Sequence, residues 1–297
     1  MTFPQLKCIS IYQPGKGGLS LPAERKRLLL IGLFSLEAVI LLMMFLCLRV
    51  ESLQPPIEAS STLTLTLEAP TGSLKIINPR GKLVIKGEET AQVELTAQKT
   101  AFGRDQEEVN RLLEEIDLRQ MSQDGEVILQ VDLPEPVGAG RVDLELVLPS
   151  RLGLVIQTGL GDVFIQGMQG PTQVSSQIGN IEIHRFAGDL SIEAGLGRIL
   201  IQDAIILQEL TVWASMGDVE FAGSPGAQGK IRANTGDIAL HLPEGVPLDL
   251  IVQAGACENE RAMDKGTLGP GPIQGCLAIW ADMGKVSIKG LEVEPGD

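Results

Sequence analysis

Glycine recurs along the middle of this chain at a fixed interval: Gly161, Gly170, Gly179, Gly188 and Gly197 each lie nine residues apart. One eleven-residue and one ten-residue unit then loosen the count, which resumes at Gly217, Gly226 and Gly236, so that nine units run from Gly161 to about Glu244. In each unit the third and fifth residues are apolar and the fourth is mostly polar, as in Ile181-Glu182-Ile183, Leu190-Ser191-Ile192 and Val219-Glu220-Phe221. Period two is the signature of a strand. Glycine with Asp or Asn supplies the tight corner that follows, leaving no room for a helix. One such strand cannot bury its apolar face, but units coiled on one another share a core. The pattern therefore predicts an all-β chain: a β-solenoid of stacked short strands, with about nine residues per half-coil and about eighteen per coil, accompanied by one short helix and one N-terminal transmembrane helix. At roughly 4.8 Å per rung, four to five coils would stand about 20–24 Å tall.

The expected core is the apolar positions of these units: Val163, Ile165, Ile181, Ile183, Leu190, Ile192, Ile199, Ile201, Val219, Phe221, Ile238 and Leu240. Aromatic residues make up only 3% of the chain, which suits a narrow interior with little room for rings. The turns Gly161-Asp162, Gly179-Asn180, Gly197-Arg198, Gly217-Asp218 and Gly236-Asp237 should stack as a ladder. Asn180 and Arg198 then separate Asp162 from Asp218, which limits repulsion between like charges on neighbouring strands. Such a ladder could hold a cation, but turn chemistry is the reading we favour. A calcium-binding nonapeptide repeat needs Asp at the sixth place, where this chain has Gln166, Ser175, His184, Glu193 and Gln202.

Residues 1–27 read as a cytoplasmic tail with Lys7, Lys16, Arg25, Lys26 and Arg27 against the single acid Glu24. Residues 28–48 carry one charge, Glu37, and at about 1.5 Å per residue a helix of that length crosses the hydrocarbon layer. The basic flank on its N-terminal side predicts a cytoplasmic N-terminus and an exported remainder, a single-pass cell-membrane protein with its domain outside the cytoplasm. Glu37 at mid-membrane is a possible contact to a partner helix. Residues 49–61, with Pro55-Pro56, read as a linker, residues 62–290 as the exported β domain, and 291–297 as a C-terminal tail.

Within that domain, alternation over Leu63–Leu67, Leu74–Ile76, Leu83–Ile85 and Val93–Leu95 predicts four strands. Asp105–Ile116 is the helical segment, with Asp105 and Glu108 in capping-box spacing. Glu126–Leu133 and Arg141–Leu148 read as strands paired with each other, Leu248–Val252 as a strand, Cys257–Cys276 as a long loop, and Val286–Lys289 as a closing strand. Cys257 and Cys276 fall on the exported side and could form a disulfide; two free thiols remain the alternative.

The run Arg141-Val142-Asp143-Leu144-Glu145-Leu146-Val147-Leu148-Pro149, then Leu154–Val163 and the recurring Gly-Asp-Val/Ile units, resembles the bacterial putative-adhesin family of β-strand-repeat domains, over roughly Thr62–Gly290. Gly197-Arg198-Ile199 and the Cys257–Cys276 segment depart from its pattern. The resemblance implies an envelope protein of unknown function, often membrane-anchored, and brings no catalytic residues.

Nothing in the sequence assembles a catalytic centre. The chain has two histidines, His184 and His241, with no nucleophile elbow or zinc-binding helix around them. A glycan-active enzyme would have to rely on Asp162, Asp218 and Asp237, which sit in turns. No cofactor or metal is expected. Net charge is −14, which argues against nucleic acid as a partner. The leading expectation is a non-catalytic binding or adhesion-like envelope protein, held in the bilayer by residues 28–48, with an envelope or protein ligand. The alternatives are a sensor or accessory of an envelope stress system and a self-assembling scaffold in which copies associate as homo-oligomers.

Overall fold

The computed structural model describes residues 56–123, 125–243, 248–255, 261–268 and 275–289. The chain divides into two units, Met1–Pro55 and Pro56–Asp297. The tail 1–27, the membrane segment 28–48 with Glu37, most of the linker, Cys257 and the tail 291–297 lie outside the described residues. Among the described residues, no helix is long and apolar enough to cross a membrane.

Among the described residues the domain is β throughout apart from one α-helix and a single 3-10 turn at Val137–Ala139, its strands joined in one sheet that curls into a half-barrel. The strands are β1 (Ile57–Glu68), β2 (Ser73–Arg80), β3 (Leu83–Glu88), β4 (Gln92–Gly103), β5 (Asp117–Gln123), β6 (Glu126–Asp132), β7 (Gly140–Pro149), β8 (Gly153–Leu160), β9 (Val163–Gln166) and β10 (Thr172–Ile178). They continue as β11 (Ile181–Leu196), β12 (Ile199–Met216), β13 (Val219–Ser224), β14 (Gln228–Thr235), β15 (Ile238–His241), β16 (Leu248–Gly255), β17 (Arg261–Leu268), β18 (Gly275–Met283) and β19 (Val286–Lys289). Helix α1 spans Gln106–Glu115.

The strands form two columns. In the first, β7, β3, β9, residues 181–184 of β11, residues 199–202 of β12, β13, β15 and β19 lie parallel, one rung each. In the second, β6, β2, β8, β10, residues 190–196 of β11, residues 210–216 of β12, β14, β18 and β16 do the same. The first column thus has eight parallel rungs rather than four or five, about 34 Å of stacking at the usual strand spacing.

The added rungs come from outside the repeat. Strands β2 and β3 form one coil, and the chain then returns to lay β6 beneath β2 and β7 beneath β3 before the repeat starts above them. This corrects the expectation that β6 and β7 pair with each other: they are opposite sides of the same coil, so each pairs along the stack. Antiparallel strands flank the columns, β4 and β1 beside β7, β5 beside β6, and β17 beside β16.

Three further expectations change. Strand β1 begins at Ile57, inside the segment read as a linker, because residues 57–61 pair with β4. The Cys257–Cys276 loop contains β17, a strand that lacks apolar alternation and is held by antiparallel pairing to β16. Repeat strands are also longer than one half-coil: β11 and β12 run 16 and 18 residues, turning a corner at Arg185 and Asp203 without losing strand pairing on either side.

The core fills the space between the columns. The first column contributes a row from Leu83 through Val163, Ile181, Ile199 and Val219 to Ile238, and a second from Ile85 through Ile165, Ile183, Ile201 and Phe221 to Leu240, all buried. The second column supplies Leu190, Ile192 and their equivalents. It also carries a third inward row that the nine-residue pattern did not reveal: Asn78, Thr158, Ser176, Ala194, Ala214, Ala233 and Ala281, one per rung and all buried. This row lies next to the glycine turn, where the columns converge and only small side chains fit.

Helix α1 starts where expected. Asp105 Oδ1 accepts the Glu108 N–H at 2.8 Å, and the Glu108 carboxylate accepts the Arg104 N–H at 2.7 Å, one residue earlier than the usual capping box. Its buried Val109 and Leu112 pack it against β4 and β1.

Candidate functional site

The turn ladder is a hydrogen-bonded device. Gly161, Gly179, Gly197, Gly217 and Gly236 each donate their N–H to the last strand residue of the next coil, as in Gly179 N–H to Leu196 O at 2.9 Å. The residue after each glycine then decides whether a side-chain bond follows. Asp162 Oδ1 accepts the Asn180 N–H at 2.8 Å, and Asn180 Oδ1 accepts the Arg198 N–H at 3.0 Å. Arg198 has no acceptor to offer, so the chain of bonds stops there and begins again: Asp218 Oδ1 accepts the Asp237 N–H, and Asp237 Oδ1 accepts the Lys285 N–H, both at 2.8 Å. The same happens at the other end, where Asp143 Oδ1 accepts the Lys82 N–H at 2.7 Å.

The full ladder is thus Asp143, Lys82, Asp162, Asn180, Arg198, Asp218, Asp237 and Lys285, each run of acceptors ending on a cation. The nine-residue count missed Asp143, Lys82 and Lys285 because the chain reaches those rungs out of order. Gly81-Lys82-Leu83 and Gly284-Lys285-Val286 nevertheless carry the same Gly-x-aliphatic signal. The three expected carboxylates, at Asp162, Asp218 and Asp237, each have an oxygen committed to a backbone N–H, and Arg198 reaches sideways to Glu220 at 2.5 Å. Among the described residues, no group of three or more His, Cys, Asp or Glu side chains could hold a metal ion.

The remaining singled-out groups lie apart from one another. His184 is half-buried, its ring 5.3 Å from that of Phe164 and its Nε2 3.9 Å from Glu182. His241 lies on β15. Cys276 is exposed and unbridged, and Cys257, its expected partner, is outside the described residues. On the first column's outer face, a 2.6 Å hydrogen bond from Lys86 to Glu145, reinforced by the charge of that carboxylate, holds the ammonium above its ordinary pKa.

The outer face of the second column gathers what a binding surface needs. At the start of its strands, a groove of about 320 Å³ crosses the rungs of β2, β8, β10, β11 and β12, lined by Ser73, Val155, Gln173, Ser191, Glu209 and Thr211. Two residues beyond Thr211 on the same strand is Trp213, 39% exposed. Register places Arg232 on the next rung and Trp280 on the one after. The chain has two tryptophans, and the stack sets both on one outward row with an arginine between them. Trp213 Nε1 donates to Asn234 at 3.4 Å and Arg232 pairs with Asp282 at 2.7 Å, so both side chains are positioned. Sequence periodicity marked these positions only as outward; Trp213 and Trp280 are 67 residues apart, and only pairing brings them together.

The fold and this face define a class: an all-β stacked-strand domain with an aromatic and arginine-bearing outer surface. No family model matches the chain, and no curated protein matches it. Solved structures do. One is a putative cell adhesion protein from Clostridium sporogenes, at 15% identity and a TM-score of 0.34, covering 78% of this chain and 98% of that one. A putative adhesin from Bacteroides fragilis matches at 11% identity and a TM-score of 0.39, covering 77% and 97%. A putative lipid binding protein from Parabacteroides distasonis matches at 9% identity and a TM-score of 0.26, again covering 77% and 97%.

Proposed function

We propose that this chain is a single-pass membrane protein whose extracytoplasmic β-solenoid binds an envelope partner without catalysing a reaction. The anchor is residues 28–48, and the basic residues before it set the orientation. After residue 50 the chain carries 18 Lys and Arg against 36 Asp and Glu, a net of −18, which steers it away from anionic lipid and nucleic acid. In the stacked turns, Asp162, Asp218 and Asp237 each give one carboxylate oxygen to a backbone N–H of the next rung, so these side chains brace the stack. The observation that carries the reading is the row Trp213, Arg232 and Trp280 on an exposed sheet face. Tryptophan and arginine are the residues that dominate binding energy at interfaces.

Both tryptophans lie in that row, so their emission reports its occupancy directly. The full chain in bilayer discs, titrated with isolated envelope fractions, should show a shift in tryptophan emission. Arg232→Ala should weaken that binding about tenfold, a loss of about 1.4 kcal/mol. Trp213→Ala should weaken it similarly, with Trp280 as the remaining reporter. Wild-type affinity in both variants would exclude this face as the site.

A further inference from the structure

We infer that the row of Trp213, Arg232 and Trp280 binds an uncharged polysaccharide whose pyranose rings are linked equatorially into an extended chain, lying across the strands. This rests on the reading of that face as the binding surface, and it names the ligand class. Trp213 and Trp280 stand two rungs apart in direct register, about 9.6 Å along the stack. Such a polysaccharide advances by roughly one rung per ring, so a ring over each indole leaves one between them, over Arg232. Its rings carry C–H groups on their faces and hydroxyls around their rims. The faces stack on an indole, and the rims need hydroxyl, amide or charged partners.

The surroundings of the two indoles favour a sugar over a protein. From β8 to β18 the outward positions hold one aliphatic side chain larger than alanine, Val155; beside the tryptophans stand Ser215, Asn234 and Asp282. The core of a protein interface is apolar, and this face offers no such core around its indoles. Charge agrees. On the same rungs Glu193 and Asp282 balance Lys230 and Arg232, a neutral face on a chain of net charge −14, complementary to an uncharged ligand. The geometry is set in advance: Trp213 reaches over to Asn234 on the next rung and Arg232 to Asp282 on the rung after, so both side chains lean the same way along the stack. The groove ending at Thr211 extends this track towards β8 and supplies Gln173 and Ser191 as further partners for hydroxyls. The six rungs from β8 to β18 make a track about 24 Å long.

The test uses the full chain in bilayer discs, titrated with cellohexaose and with chitohexaose while tryptophan emission is followed. At least one of these extended hexasaccharides should shift the emission, and the coiled, α-linked maltohexaose should not. Trp213→Ala should weaken hexasaccharide binding at least tenfold, with Trp280 as the reporter, and Trp213→Phe, which keeps an aromatic face, should recover part of the loss; circular dichroism checks that each variant is folded. Emission unmoved by either extended hexasaccharide, binding that Trp213→Ala leaves intact, or equal binding of maltohexaose overturns the inference. If both hexasaccharides fail while envelope fractions still shift the emission until digested with protease, the ligand is a protein: the polysaccharide is excluded and the binding face stands. A face silent to hexasaccharides and envelope fractions alike removes both readings.

Discussion

At the scale of single residues, stability rests on positions where nothing larger fits. Gly179 has φ +144°, and a Cβ there would lie 2.1 Å from Gly161 O, a backbone atom that cannot step aside. Gly179→Ala should cost roughly 3 kcal/mol, read as a lower denaturant midpoint. The inward row beside these turns makes an opposite prediction. Ser176 Oγ and Thr158 Oγ1 are buried with no hydrogen-bond partner, while the later rungs carry alanine. Ser176→Ala removes an uncompensated hydroxyl and leaves the packing of Ala194, so stability should be unchanged or rise by about 1 kcal/mol. The Lys86–Glu145 pair has a defined pH signature. Because the folded ammonium titrates above the ordinary 10.5, its contribution is present below that value and is lost as pH rises through the folded pKa. Glu145→Gln should bring the Lys86 titration back down, as followed by NMR of its ε-methylene.

At the scale of elements, helix α1 is the part of the domain whose stability is most local. Its start depends on Asp105, and Asp105→Ala should destabilise the domain by about 1 kcal/mol, whereas Asp105→Asn should recover most of that. The helix covers β4 and β1, so loss of the cap should appear first as faster amide exchange in those strands. The edge strands β5 and β17 follow another rule. Each is paired on one side only among the described residues, and β5 is largely exposed along its length. Neither was legible in the sequence, because a strand with both faces polar has no alternation to detect; pairing with β6 or β16 is what makes it a strand.

For the whole molecule, a stack in which each coil touches only its neighbours should lose protection from its ends inward. Hydrogen exchange should be slowest in β9 to β13 and fastest in β1, β5 and β17; equal protection throughout would instead mean that the stack unfolds as one unit. The insertion of β3 between β7 and β9, and of β2 between β6 and β8, adds a consequence. The rung beneath the repeat is completed only after about 70 further residues of chain have been placed, from Gly81 to Pro149, so contacts there are remote in sequence. The surface reading follows the same logic. Trp213, Arg232 and Trp280 come onto one row through register and not through proximity in the chain.

Local spacing was enough to define the unit: a glycine that alone tolerates the turn, an alternating strand that must bury one side, and a period that makes neighbouring units equivalent. From these the two inward rows of the first column and the order of Asp162, Asn180, Arg198, Asp218 and Asp237 could be read, since both depend on local spacing. Strand pairing, by contrast, set the order of coils, the polar edge strands, the small inward row and the outward face shared by Trp213, Arg232 and Trp280. Those depend on which strand lies on which, and backbone hydrogen bonds between distant strands leave little mark in the side chains that sequence periodicity can detect.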